Sequence, residues 1–230
     1  MSYNTKNGKQ AIKYLVSSKE IILKYLQQVI KSKKFNYRTF GTDIEEPLSD
    51  IITQVFTKGG FIKSKNDYVL APNKNYFTDF QLKTAPPIAI EYKSGNRSQF
   101  KKGKWVSVKN SQNDMGTLNV WPQKINKFGG ENIYYIFVVY NFNAARNDIL
   151  SIDIAPFYQF LAHNSGKVLR YREKDGNLRP KDFDAVPTIK TFAQFMSLLN
   201  KTDIYRSKRI IKRHRSIIKK ANDAIKRGLG

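Results

Sequence analysis

The sequence predicts one α/β domain in which a mixed central β-sheet is flanked by helices. Three observations lead there. Two early segments carry apolar residues at helical spacing. Two short β-like segments flank a Thr84-Ala85-Pro86-Pro87 turn. The run Ile133 to Asn141 is rich in Ile, Val and Tyr and reads as a buried central strand. Helix, helix, hairpin, strand, helix is an α/β or α+β order.

Ala11 to Ser32 reads as a helix, with Ile12, Leu15, Val16, Ile22, Leu23, Leu26, Val29 and Ile30 in its periodic positions. A second helix is expected from about Glu45 to Lys58. Asp43 is its N-cap, Pro47 sits in the first turn, and Gly59-Gly60 stops it. β-like segments follow at Phe61-Ile62, Tyr68 to Leu70, Tyr76 to Lys83 and Ile88 to Lys93, with Ile149 to Ile154 as the neighbour of the central strand. Phe157 to Ala162 and Thr191 to Leu199 read as helical, and Tyr205 to Arg227 as a long basic helix ending at Gly228. No repeat, low-complexity segment or linker divides the chain. Residues 1–204 are therefore expected to form one domain, and residues 205–230 a basic helix packed on it or extending from it.

Composition narrows the function. The 230 residues carry 41 Lys and Arg against 18 Asp and Glu, a formal charge of +23. That surplus calls for a polyanionic partner, while 40% hydrophobic residues provide for a core and exclude a disordered basic tail. The absence of Cys excludes a disulfide scaffold, a thiolate zinc site and a Cys nucleophile; the two His, His163 and His214, exclude a His-rich metal site. The longest apolar run, Ile133 to Tyr140, is eight residues, against the roughly 20 a membrane helix needs. The polar start, Met1 to Gln10, has no signal-peptide core. The expectation is a cytoplasmic protein that meets nucleic acid and no membrane.

The chemistry gathers on Tyr76 to Lys83 and Ile88 to Lys93. Side chains alternate along a strand, so Ile88, Ile90 and Tyr92 share one face and Ala89, Glu91 and Lys93 the other. Asp79 is opposite in face to Phe80 and Leu82. In a hairpin, Asp79, Glu91 and Lys93 converge at one end. Two neighbouring carboxylates make a hard-oxygen site for Mg²⁺, and a Lys beside them can hold a water or offset developing negative charge. That set suits phosphodiester hydrolysis. The plainer alternative is an Asp ending a strand and a Glu/Lys pair on a solvated face.

This pattern resembles the PD-(D/E)xK nuclease superfamily and, within it, type II restriction endonucleases of the EcoRV kind. The likeness runs over roughly residues 40–145. Asp79 matches the motif's first Asp, and Glu91 and Lys93 match its acidic-x-Lys element. Thr78 stands where the motif has Pro. The resemblance implies a restriction-endonuclease-like core, a Mg²⁺ ion held by Asp79 and Glu91, and Glu45 as an additional acid on a helix facing the site. Helical spacing agrees for Glu45, which shares a face with Leu48, Ile52 and Val55; an N-terminal helix acid favoured by the macrodipole is the alternative. The resemblance also implies a homodimer on double-stranded DNA and a companion DNA methyltransferase acting without direct contact.

DNA contacts are expected at several places. Asn73 and Asn75, in the loop before the catalytic strand, match a minor-groove loop of EcoRV-like enzymes. Ser94, Asn96 and Arg97 follow the catalytic Lys, and Lys101, Lys102 and Lys104 form a cluster suited to phosphates. Arg170, Arg172, Lys174, Asn177 and Arg179 sit where such enzymes carry their major-groove loop, and Arg and Asn read guanine and adenine bidentately. Arg209 and Arg213 represent the basic last helix. Three functions compete: a Mg²⁺-dependent site-specific endonuclease, a repair, junction-resolving or toxin nuclease of the same fold, and a non-catalytic basic binder.

Overall fold

The computed structural model describes residues 8–32, 35–36, 39–72, 76, 78–111, 113–143 and 146–228, without the side chain of Arg146. The first expected helix is two: α1 (Gly8–Ser17) and α2 (Lys19–Ser32). The chain turns at Ser18, whose hydroxyl donates to the Tyr14 carbonyl at 2.9 Å. The turn lets Leu15 and Ile22 both reach the core. A short helix α3 (Phe40–Asp43) precedes α4 (Glu45–Lys58). Asp43 is not the N-cap of α4. That position is Ile44, and Asp43 instead closes α3, accepting from the Thr39 hydroxyl at 2.7 Å.

Strands β1 (Tyr68–Leu70), β2 (Phe80–Leu82) and β3 (Ile88–Asn96) follow. Phe61-Ile62 is not a strand, and among the described residues of Tyr76 to Lys83 only Phe80–Leu82 are. A hairpin of β4 (Ser98–Lys101) and β5 (Lys104–Ser107) leads to α5 (Trp121–Phe128); the sequence reading anticipated none of these three. The long strands β6 (Ile133–Asn143) and β7 (Arg146–Pro156) come next, then a 3₁₀ turn at Phe157–Phe160 in place of the expected helix, and a small pair β8 (His163–Asn164) and β9 (Val168–Leu169). The two helices expected near the end are one, α6 (Phe192–Lys226), 35 residues long and continuous through residue 204.

The main sheet has five strands in the order β1-β2-β3-β6-β7, with β3 and β6 parallel and the other pairs antiparallel. Its mixed character follows from the connection between β3 and β6, which is long enough to carry α5 across a face. Ile88, Ile90 and Tyr92 pack under α1, α2 and α4 on one face. Ala89, Tyr135, Phe137 and Val139 pack under α5 and the start of α6 on the other. The period of two read from the sequence thus separates two cores.

Thr202 is the last buried residue of α6. Beyond it the helix projects, and Ile210, Ile211, Ile217, Ile218 and Ile225 are exposed, so the apolar stripe of the last helix lies outside the core. No helix is long and apolar enough to cross a membrane among the described residues.

Candidate active site

The antiparallel register of β2 and β3 pairs Phe80 with Ile90. One step further the same register sets residue 79 opposite residue 91. At that step the chain leaves the strand, and Thr78 secures it. Its buried hydroxyl donates to the Ile90 carbonyl at 2.7 Å and approaches the Phe80 carbonyl at 3.0 Å. The Asp79 carboxylate turns back over β3 and accepts from the Tyr92 amide at 2.6 Å. Glu91 and Lys93, two residues apart on the same face of β3, meet at 3.3 Å.

Glu91 is 5% exposed. One of its oxygens faces Lys93, and the other is ion-paired to Lys124 of α5. Below it in the parallel register lies Tyr135, whose ring sits 5.6 Å from the Lys93 ammonium and whose hydroxyl donates to the Met115 carbonyl at 3.1 Å. The site therefore holds two carboxylates and two ammonium groups over an apolar floor.

Electrostatics separate the two acids. Burial pushes the Asp79 carboxyl above its ordinary value, and neither Lys93 nor the Tyr92 amide fully offsets it. Burial acts in the same sense on Glu91, but Lys93 and Lys124 together outweigh it and hold its carboxyl below the usual range. Burial would lower Lys93; Glu91, Asp79 and Glu45 outweigh that and raise it, so its ammonium stays charged.

Lys93 is the member of this cluster that lines a polar groove of about 320 Å³, together with Thr42, Glu45, Ser94, Asn113 and Asp114 among others. Glu45 is the first residue of α4, on the groove wall, while Leu48, Ile52 and Val55 of the same helix are buried. Gly41 of α3 passes so close to β3 that a Cβ there would stand 2.7 Å from the Ser94 hydroxyl. A larger groove of about 390 Å³, around Lys19, Asp153 and Lys181, shares none of these residues.

A divalent cation fits the donor set. Among the described residues no group of three or more His, Cys, Asp or Glu side chains gathers. Mg²⁺, however, takes one or two carboxylates and completes its shell with water and substrate oxygens. Asp79 and Glu91 supply two carboxylates, and since both oxygens of Glu91 are paired to ammonium groups, a cation binding there would take the place of one of them.

The expected DNA contacts fall in different settings. Asn73 and Asn75 lie outside the described residues. Ser94 is buried at the groove, where its carbonyl accepts from the Ser111 hydroxyl at 3.2 Å. Asn96 is engaged within the sheet, donating to the Phe142 carbonyl at 2.9 Å and accepting from the Phe142 amide at 3.0 Å. Arg97 pairs with Asp184 at 2.9 Å and lies 5.1 Å over the Phe183 ring. Lys101, Lys102 and Lys104 are exposed at the tip of the β4–β5 hairpin, where Lys102 and Gly103 take left-handed φ angles of 50° and 79°.

Arg170 donates to the Pro180 carbonyl at 2.6 Å. Arg172 and Arg179 both grip Asp114, at 2.9 and 3.0 Å, and so tie their segment to the groove wall. The Asn177 amide donates to Asp175 at 3.2 Å. Lys174 and Arg213 line one cleft with Arg209, which is ion-paired to Glu173.

Sequence reasoning missed Thr42, Asn113 and Asp114 of the groove wall, and it missed Lys124. The available signal for Lys124 was the 121, 124, 128 spacing of Trp, Lys and Phe behind Pro122.

No family model and no curated protein matches the chain. Among solved structures it is similar to the NlaIV restriction endonuclease, with a TM-score of 0.55 and 16% identity. The match covers 74% of this chain and 66% of that one, just under two thirds of the relative's length. At that identity the likeness speaks for the architecture. The mixed sheet, its flanking helices and their order make this a restriction-endonuclease-like fold.

Proposed function

We propose that the protein is a Mg²⁺-dependent type II restriction endonuclease that hydrolyses phosphodiester bonds of double-stranded DNA at a short specific sequence. One observation carries the reading. Asp79, held on the Tyr92 amide, stands next to Glu91 of β3, and the charged Lys93 is paired to Glu91 and lines an open polar groove. The fold likeness to a restriction endonuclease is consistent with it.

Asp79 and Glu91 would hold the Mg²⁺. When bound, the ion supplies Lewis-acid polarisation of the phosphate and a water acidified toward hydroxide. Lys93 keeps a positive charge beside the reacting phosphate, where negative charge grows in the transition state. Glu45 bounds the groove and supports Lys93 electrostatically. The apolar floor around Tyr135 lowers the local dielectric and so strengthens each of these interactions.

The exposed Lys101, Lys102 and Lys104, with Lys174, Arg209 and Arg213, are the proposed phosphate contacts. Arg172 and Arg179, held by Asp114, are proposed to read bases from a pre-set position. A homodimer would present two sites to antiparallel strands. A companion methyltransferase would protect the host sequence.

The test is cleavage of a long duplex with and without Mg²⁺. Discrete fragments that need the ion are expected. Random degradation would point to a repair or toxin nuclease, and intact DNA to a non-catalytic binder.

A further inference from the structure

Lys124 has a setting unusual for lysine. It lies on the buried face of α5, between Trp121 and Phe128. Trp121 is fixed by stacking on Phe157 at 4.1 Å and by an edge contact with Phe195 at 5.6 Å. That anchorage turns the 124 position inward, and only 9% of the residue is exposed. Lysine is rarely buried unless paired, and the ammonium is ion-paired to Glu91 while lying 5.7 Å from the Trp121 ring.

Glu91 is thus clamped between two ammonium groups. A divalent cation cannot take this carboxylate without displacing positive charge from it. Lys93 is carried on β3 itself, two positions from Glu91, whereas Lys124 reaches the carboxylate from a separate element, α5. The hydrogen bond of Lys124 goes to Glu91, on the oxygen away from Lys93.

We infer that Lys124 is a positioning residue that holds Glu91 in the cation-free protein, yields to a divalent cation, and thereby sets the affinity of the site for it. The inference rests on the proposed metal-binding role of Asp79 and Glu91. Its physical content is competition. The ion pair keeps a buried carboxylate compensated when no cation is present, and every cation that binds must first break it. Because Trp121 and Phe128 anchor the helix on either side, the displaced ammonium remains next to the site.

The experiment measures Ca²⁺ and Mg²⁺ binding calorimetrically on the full chain as wild type, Lys124→Met, Lys124→Gln and Lys124→Arg, with thermal melts in chelator and in Ca²⁺. Lys124→Met is expected to melt lower in chelator and to bind Ca²⁺ about tenfold tighter, since the competing charge is gone. The gap between its two melting temperatures should therefore widen. Lys124→Arg, which keeps the charge, should bind like the wild type. Lys124→Gln keeps a donor to Glu91 without the charge and serves if the Met variant does not fold. Unchanged or weaker binding by the neutral variants, with a wild type that binds, would reduce Lys124 to a structural ion pair and overturn the inference. A wild type that binds neither ion would overturn the metal reading itself, and this inference with it.

Discussion

The Tyr92 amide donates to Asp79 at 2.6 Å, and this bond draws the carboxylate that ends β2 across the face of β3, beside Glu91. One residue either way along β3 would break the arrangement, because successive residues face opposite sides of the sheet. The site thus depends on register as much as on residue type.

Asp79→Ala, Glu91→Ala and Lys93→Ala should each abolish DNA cleavage, by on the order of 10³-fold or more. Circular dichroism should show that the fold persists. Glu45→Ala should be milder, because that carboxylate acts on the site from the groove wall. Near-normal cleavage by any of the first three would show that the site is misassigned.

Thr78→Val should destabilise the protein by about 1–3 kcal/mol, since it removes a buried hydroxyl hydrogen bonded to the end of the hairpin. Urea melts measure this. Cleavage should fall as well, because Thr78 fixes the backbone next to Asp79. A variant as stable and as active as wild type would show that the strand end needs no such fastening.

The acids should titrate in opposite directions. Burial raises Asp79, so a reaction that needs it ionised should lose its acid limb at higher pH than an ordinary aspartate would set. For stability, Glu91 is lowered; its contribution is present above its unfolded value and lost as pH falls through the folded one. Lys93 is raised, so its contribution is present below the ordinary lysine value and lost as pH rises through the folded value. Lys93→Met should therefore remove part of the alkaline loss of stability in a denaturation series. An alkaline profile identical to wild type would contradict this.

Binding to duplex DNA should weaken steeply with salt. About 6–10 phosphate contacts imply a log–log slope of roughly −5 to −9. No described residue from Tyr205 onward is buried, so deleting residues 205–230 should leave the melting temperature nearly unchanged. The deletion should shrink the slope and leave the cut sequence as it was, since phosphate contacts position and base contacts specify. An unchanged slope would free the helix for another partner.

Sedimentation should find a symmetric dimer, free or on cleavable duplex. A monomer under both conditions would exclude the two-site arrangement.

The local periods were legible in the chain. A repeat of two along Ile88 to Lys93 told which residues face which core, and Pro47 with Gly59-Gly60 marked the approximate extent of α4, though not its N-cap, because each signal lies within one element. The juxtaposition of Asp79 with Glu91 followed from these plus a hairpin. Three things needed the tertiary structure. Lys124 reaches Glu91 from 33 residues away, and no local pattern specifies which residue a crossover helix lays on a sheet. Ser18 breaks an apparently continuous helical pattern, and both halves, α1 and α2, pack on the same neighbours, α4 and β7, which a straight helix of that length would outrun. The isoleucines of α6 have a buried helix's spacing yet stay exposed, because the helix outruns the sheet it starts on. Amphipathic spacing states that a face can be buried; only the length and direction of the neighbouring elements decide whether anything is there to bury it.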